Sequence, residues 1–357
     1  MIVIADDITG AAEMAGIAFA RGEDVRLACG SPVSDCDIVT NGTVVIATDT
    51  RSMSEADAVA ETHRITSAFI HHTSAIFKKT DSALRGHVVA ELSALMEATG
   101  CRCAVFLPAN PSKGRIIKNG TYYINNVPIH ETAFSYDPEF PAKSSVLRER
   151  FPDAQAKGII MPDAESEEDI QKVIAKYNDG QTIFAGAADL FSAMLGNYRE
   201  TRNPKVSISS PSTLVLCGST QSKPLDLGIP IAPMPRELYD GNEDVGLWDT
   251  SAYKEKHSLV LTIPYTHRTG KEAALHLRTM MARKAKQLVA QHCPNHLVIE
   301  GGATAWATLQ AIGWTDFSIK AQLAPGVVQM SATNGTLVTL KPGSYSWGSL
   351  FYNSANK

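Results

Sequence analysis

Three short clusters of charged residues each follow an apolar run, and their types suit the handling of a small hydroxylated anion. Asp6 and Asp7 follow IVIA, Asp49 to Ser52 follow TVVIAT, and Lys79, Asp81, Ser82 and Arg85 follow AIF after one further lysine. Arginine can grip a carboxylate through two parallel N–H donors, while aspartate accepts from hydroxyls or takes a proton from one. Carboxylates at the start of a helix are also electrostatically favoured, so helix capping competes with chemistry as the reason for each acid. Three clusters at three strand ends exceed what capping needs. Open α/β sheets gather ligands at the carboxyl ends of their strands, so parallel neighbouring strands would bring the clusters to one rim.

The elements that must position these groups read from hydrophobic spacing. Strand-sized apolar runs occupy residues 1–5, 25–28, 43–48, 75–79 and 103–107, and residues 8–21, 54–70 and 88–99 carry apolar groups at helical spacing. Alternation of this kind predicts layered α/β architecture. A polar stretch over 110–141 interrupts it, with a hairpin expected in GTYYINNVPIHE. The alternation resumes near residue 183 and again over 189–198, and TRNPKVSISSP at 201–211 reads as a linker. A second domain is expected to open on TLVLC. It continues with strands near 258–263 and 297–300, a basic helix over 271–291, and strands near Val327 and Leu337. The expected fold is two layered α/β domains with mostly parallel sheets and an interdomain cleft, divided as 1–205 and 212–357.

Bulk properties narrow the function classes. A chain of 357 residues is long for one core, and 44% hydrophobic with 20% charged residues is a globular composition. The formal net charge of -4 gives no general attraction to nucleic acid or anionic membrane, and no apolar run approaches a membrane span. No secretory leader is visible at the start, and the six cysteines show no CxxC or metal-ligand spacing, so a cytoplasmic chain with free thiols is expected. The Asn-Gly-Thr sequences beginning at Asn41, Asn119 and Asn334 then read as tight turns. In the second domain the polar signals are glycine-rich: CGSTQS after TLVLC, EGGAT after HLVI, and KPGSYSWGSLF near the end. Glycine permits close backbone approach, and helix amides after EGGAT can cradle phosphate. Neither a Walker loop nor a GxGxxG fingerprint is present.

Taken in order, ADDITGA, DTRS, KTDSALRG, PANPSKGR, VPIHET, YDPEFP, EGGAT and KPGSYSWGSLF resemble the four-carbon acid sugar kinase family, and the correspondence covers nearly the whole chain. The resemblance implies an ATP- and magnesium-dependent kinase acting on a small-molecule sugar acid, threonate, erythronate or 3-oxo-tetronate, at a terminal hydroxyl. It places Asp6, Asp49, Arg51, Lys79 and Arg85 on the substrate, with Asp7 and Asp81 as the catalytic acids. Ser219, Ser222, Gly301, Gly302, Thr304, Lys341 and Gly343 fall on the ATP side. As a mechanism, Arg51 and Arg85 would hold the substrate carboxylate while Asp7 or Asp81 orients and deprotonates the hydroxyl. Metal ligands are not assigned, and assembly of several copies stays open. The family commonly reads GGDT where this chain has Gly301, Gly302, Ala303 and Thr304, which leaves Glu300 as the nearest carboxylate. That departure keeps a second reading in view, a ligand- or ATP-binding protein without turnover. A third is an enzyme of another class acting on a related acid.

Overall fold

The computed structural model describes residues 1–30, 42–69, 75–137, 139–196, 212–218 and 228–343. The linker expected over 201–211, the turn expected at Asn41, and both Ser219 and Ser222 lie outside the described residues. The chain forms two compact units, Met1–Thr201 and Arg202–Lys357.

In the first unit, β1 (Ile2–Ala5) leads into α1 (Ile8–Ala20), then β2 (Val25–Cys29), β3 (Thr43–Ala47), α2 (Glu55–Phe69), β4 (Ile76–Lys79), α3 (Val88–Thr99) and β5 (Cys103–Leu107). A small antiparallel sheet of β6 (Arg115–Lys118), β7 (Thr121–Ile124) and β8 (Val127–Pro128) is inserted next. Its two connections, Asn119–Gly120 and Asn125–Asn126, have positive φ at both positions, as two-residue hairpin turns matched to strand twist require. The unit finishes with α4 (Leu147–Arg150), β9 (Ile159–Ile160), α5 (Glu167–Tyr177), β10 (Thr182–Gly186) and α6 (Ala188–Met194).

The main sheet of this unit runs β2-β3-β1-β4-β10-β5-β9, every pairing parallel. All four residues of β1 are buried, as a parallel strand covered on both faces demands. Register sets Ala5 opposite both Ala47 and Lys79, Lys79 opposite Gly186, and Gly186 opposite Leu107. The carboxyl ends therefore align on one rim. The chain passes from β3 on one flank of β1 to β4 on the other, which is the change of direction where such sheets open a crevice.

The second unit contains β11 (Thr213–Cys217), β12 (Ile231–Pro233), α7 (Arg236–Asp240), α8 (Ala252–Lys256), β13 (Ser258–Thr262), α9 (Lys271–His292), β14 (His296–Glu300) and α10 (Gly302–Ile312). A meander of β15 (Asp316–Ala324), β16 (Val327–Ala332) and β17 (Leu337–Lys341) completes it. Strands β12-β13-β11-β14-β17 are parallel and β17-β16-β15 antiparallel. Val215, Val260 and Val298, one from each of three adjacent strands, anchor its core. Cys217 lies opposite Thr262 and Glu300, and Glu300 opposite Lys341, so a second rim of strand ends forms here. The architecture is α/β with mostly parallel sheets. Among the described residues no helix is long and apolar enough to cross a membrane, and Cys29, Cys101, Cys103, Cys217 and Cys293 are free thiols.

Candidate active site

Three of the expected acids converge on one guanidinium. Arg51, in the turn after β3, donates from Nε to Asp6 Oδ2 at 2.8 Å and from Nη2 to Asp7 Oδ1 at 3.0 Å, and its Nη1 lies 3.6 Å from Asp81 Oδ1. Each acid is held by its own strand end. Asp7 is the N-cap of α1 and accepts from the Gly10 amide, so capping and clustering are met by the same side chain. Gly10 is required there: a Cβ would sit 2.6 Å from Asp7 Oδ1 and 3.3 Å from Lys79 Nζ. Asp81 closes the turn after β4 by accepting from the amides of Ala83 and Arg85, and Arg85 returns two side-chain hydrogen bonds at 2.8 and 3.0 Å.

The environments drive these carboxyls apart. Burial is the dominant effect on Asp6, and Arg51 only partly offsets it, so the carboxyl is pushed up to about 6. Its Oδ1 is buried and has no hydrogen-bond partner among the described residues. Burial also acts to raise Asp81, but Arg51, then Arg85 and Lys79, outweigh it and hold the group far below the usual carboxylate range. In Asp7, Arg51, Lys79 and the Thr9 hydroxyl overcome the same burial effect and lower the carboxyl. Arg51 is itself pushed well up, the three acids outweighing its burial. One acid near neutrality beside two committed to the charged form is an arrangement suited to proton transfer.

The remaining expected residues are placed as follows. Lys79 is 4% exposed, with Nζ donating to the Thr80 carbonyl at 2.8 Å and lying 3.9 Å from Glu13. Asp49 adopts φ 54° and accepts from Ser52 Oγ at 2.6 Å. Arg51, expected on the substrate carboxylate, directs its donors at Asp6, Asp7 and Asp81. Arg85 is the more open guanidinium, its side chain 32% exposed.

Sequence reasoning missed the groups that brace this rim. Lys78 and Glu91 form a fully buried ion pair at 2.6 Å, and Thr50 Oγ1 donates to the same Glu91 oxygen at 2.7 Å. The visible signal was a glutamate set among Val88, Leu92 and Leu95 on the apolar face of α3. Asp137, from the YDPEFP segment, lies 3.6 Å from Arg85. Leu84 holds φ 62°, a strained value for leucine, with its amide bonded to the Asp81 carbonyl and its own carbonyl accepting from Arg150.

In the second unit, Gly301 (φ 96°) leads into α10 and, as a glycine, has no side chain to cap that helix, so the first-turn amides of Gly302, Ala303 and Thr304 suit an anion. Gly343 follows β17 in a turn. Lys341 is buried and paired with Glu300, both 1% exposed, so its ammonium neutralises a core acid. Glu300, the nearest carboxylate to Ala303, is held in that pair. Burial, aided by Glu300, pushes the neighbouring Cys217 thiol up to about 12.

Gly218 packs so closely on α10 that a Cβ would meet Thr304 Oγ1 at 2.0 Å. Gly218→Ala should displace the amino end of α10, costing about 1–3 kcal/mol in chemical unfolding and weakening nucleotide binding in calorimetry. Sugar-acid binding should be unchanged.

A parallel sheet with a carboxylate–guanidinium rim, together with a unit that carries a glycine-led helix, suits a protein that handles a sugar and a nucleotide. Comparison with known proteins agrees. A model of a sugar-binding N-terminal domain matches residues 1–153, and a nucleotide-binding C-terminal domain matches residues 245–345. D-threonate kinase of Salmonella typhimurium is 35% identical over 155 residues, 42% of this chain and 35% of that protein. The matched part thus spans about a third of that relative's length. 3-oxo-tetronate kinase of Brucella melitensis is 23% identical along 99% of this chain and 94% of its own. D-erythronate kinase of Heliobacterium modesticaldum is 28% identical over 41% of this chain and 34% of its own. A Haemophilus influenzae protein from a domain family of unknown function shares the fold, with a TM-score of 0.73 at 19% identity, covering 99% of this chain and 98% of that one. The chain belongs to the four-carbon acid sugar kinase family.

Proposed function

We propose that the chain is an ATP-dependent kinase that phosphorylates a terminal hydroxyl of threonate, erythronate or 3-oxo-tetronate. The observation that carries this reading is the convergence of Asp6, Asp7 and Asp81 on Arg51 at a rim of parallel strand ends. Phosphoryl transfer asks mainly for positioning, charge neutralisation and a proton acceptor near the attacking hydroxyl. Arg85, with Lys79 nearby, binds the sugar acid's carboxylate. Asp7 and Asp81 stay ionised at neutral pH and accept from substrate hydroxyls. Asp6 is the better proton acceptor of the three, because its carboxyl lies nearest neutrality and one of its oxygens is uncommitted.

On the nucleotide side, the first-turn amides of α10, preceded by Gly301, hold phosphate oxygens. ATP supplies the phosphoryl group, and magnesium, bound largely through phosphates and water, neutralises its charge. The cytoplasm, with its ATP and reduced thiols, is the compartment that fits.

Ala303 favours one alternative, a protein that binds ligand without turnover. The test is ADP release from Mg-ATP across D- and L-threonate, D- and L-erythronate and their 3-oxo forms, with magnesium-free controls. We expect release that depends on both one sugar acid and magnesium. Retained ADP binding with no stimulation by any of them would move the non-catalytic reading ahead.

A further inference from the structure

We infer that the loop after β13 is a nucleobase subsite, in which Tyr265 and His267 form the platform for the base of a nucleotide whose phosphates rest on the amino end of α10. The inference rests on the kinase reading and extends it to base recognition. Three rings cluster there. Tyr239 lies 5.0 Å from Tyr265 and 4.7 Å from His267, and the latter two are 6.1 Å apart, all tilted between 58° and 62°. Tyr239 is fully buried, whereas Tyr265 is half-buried and the His267 side chain is 51% exposed.

The open rings sit on a fixed segment. The Arg268 amide donates to the Tyr239 hydroxyl at 2.7 Å, and its guanidinium donates to the Tyr239 carbonyl at 2.5 Å. His267 Nε2 lies 3.3 Å from Asp240, and His276 on α9 bonds the Leu238 carbonyl at 2.6 Å. Both flanks of the loop are thereby tied to α7. A preorganised aromatic surface of this kind loses little freedom when a flat ring stacks on it.

Its position on the rim matches a nucleotide laid across strand ends. Thr262 at the end of β13 is opposite Cys217, and Cys217 is opposite Glu300. Two strand spacings, about 10 Å, therefore separate the start of the Tyr265 loop from Gly301. Between them lies Gly218, directly after β11, its backbone pressed against Thr304. The tryptophans near the same glycines fit less well. Trp314 lies beyond the far end of α10, about 15 Å along the helix axis from Gly302, and Trp306 is half-buried within that helix.

The test is calorimetric binding of ADP and of inorganic tripolyphosphate, each with magnesium, to the full chain and to Tyr265→Ala, His267→Ala and Tyr265→Phe. Tyr239 is left intact to keep the fold. The alanine variants should each bind ADP about tenfold or more weakly, the size of one lost base–aromatic stack, while tripolyphosphate affinity stays within about twofold. Tyr265→Phe should bind ADP like the wild type. ADP affinity untouched in both alanine variants overturns the subsite and leaves the kinase reading standing. An equal loss for ADP and tripolyphosphate also overturns it, because the loop would then act on the phosphates. A wild-type chain that binds no ADP overturns the kinase reading and the subsite together.

Discussion

Arg51→Ala should abolish measurable turnover and destabilise the first unit more than any other single change at the rim. The guanidinium is the shared counter-ion of Asp6, Asp7 and Asp81, at 2.8, 3.0 and 3.6 Å. Removing one partner of a buried pair costs about 3–5 kcal/mol because the other charge is left without compensation. Here three acids are left facing one another. Their carboxyls should rise toward protonation, which relieves the repulsion, so the loss should be larger at pH 8 than at pH 5. Urea unfolding at both values checks this, and a variant as stable as wild type at pH 8 would contradict the counter-ion role. Arg51→Lys should recover part of the stability and little of the activity. A lysine restores the charge but lacks the planar fork that addresses Asp6 and Asp7 at once. Turnover should stay at least about 100-fold below wild type, the scale of loss when reacting groups are misplaced by an ångström.

How much of this site could be read beforehand depends on the range of the interactions involved. Local periodicity sufficed for β5 and α3, whose expected and observed limits coincide, because apolar spacing and flanking turns act within a few residues. The three charged clusters were legible for the same reason, each being the residue run that follows an apolar strand. Their meeting depended on β3, β1 and β4 being parallel neighbours, a non-local condition that the sequence only made plausible. What each charge faces was not legible. Arg51 reads equally well as a substrate clamp or a counter-ion until register fixes which acids surround it. Lys341 and Glu300 are 41 positions apart and meet only because β14 and β17 pair with Glu300 opposite Lys341. The same holds for Lys78 and Glu91, joined across the sheet–helix interface, and for Asp137, delivered to Arg85 by the insertion after β5. Lys284, in the basic run of α9, shows the converse: its charge suggests a solvated position, but it is buried and its Nζ donates to the Val245 carbonyl.

Asp6→Asn should remove both a pH-dependent stability change and the acid limb of the activity profile. The folded-state carboxyl is pushed up to about 6 from the 3.8 of an unperturbed aspartate. Between those values the native chain holds a proton that the unfolded chain has released. Asp6 therefore contributes stability that is fully present below pH 3.8 and is lost as pH rises through 6, a difference of about 3 kcal/mol. Asp7 and Asp81 act with the opposite sign, because their folded carboxyls are depressed, and their contribution is lost only as pH falls below 3.8. The two effects occupy different windows and can be separated. Wild-type minus Asp6→Asn stability, from urea unfolding between pH 4 and 7, should slope downward to about pH 6 and then level. In catalysis the same group must be ionised to accept a proton, so wild-type kcat/KM should fall about tenfold per pH unit below 6. Asp6→Asn should lower kcat by about 100- to 10,000-fold and leave a residual rate that is flat across this range. Asp81→Asn, by contrast, should reduce kcat/KM while keeping the limb near pH 6, since it removes an acceptor for a substrate hydroxyl and not the titrating base. An Asp6→Asn profile that still breaks near pH 6 would assign the proton to another group and return Asp6 to a purely structural place beside Arg51.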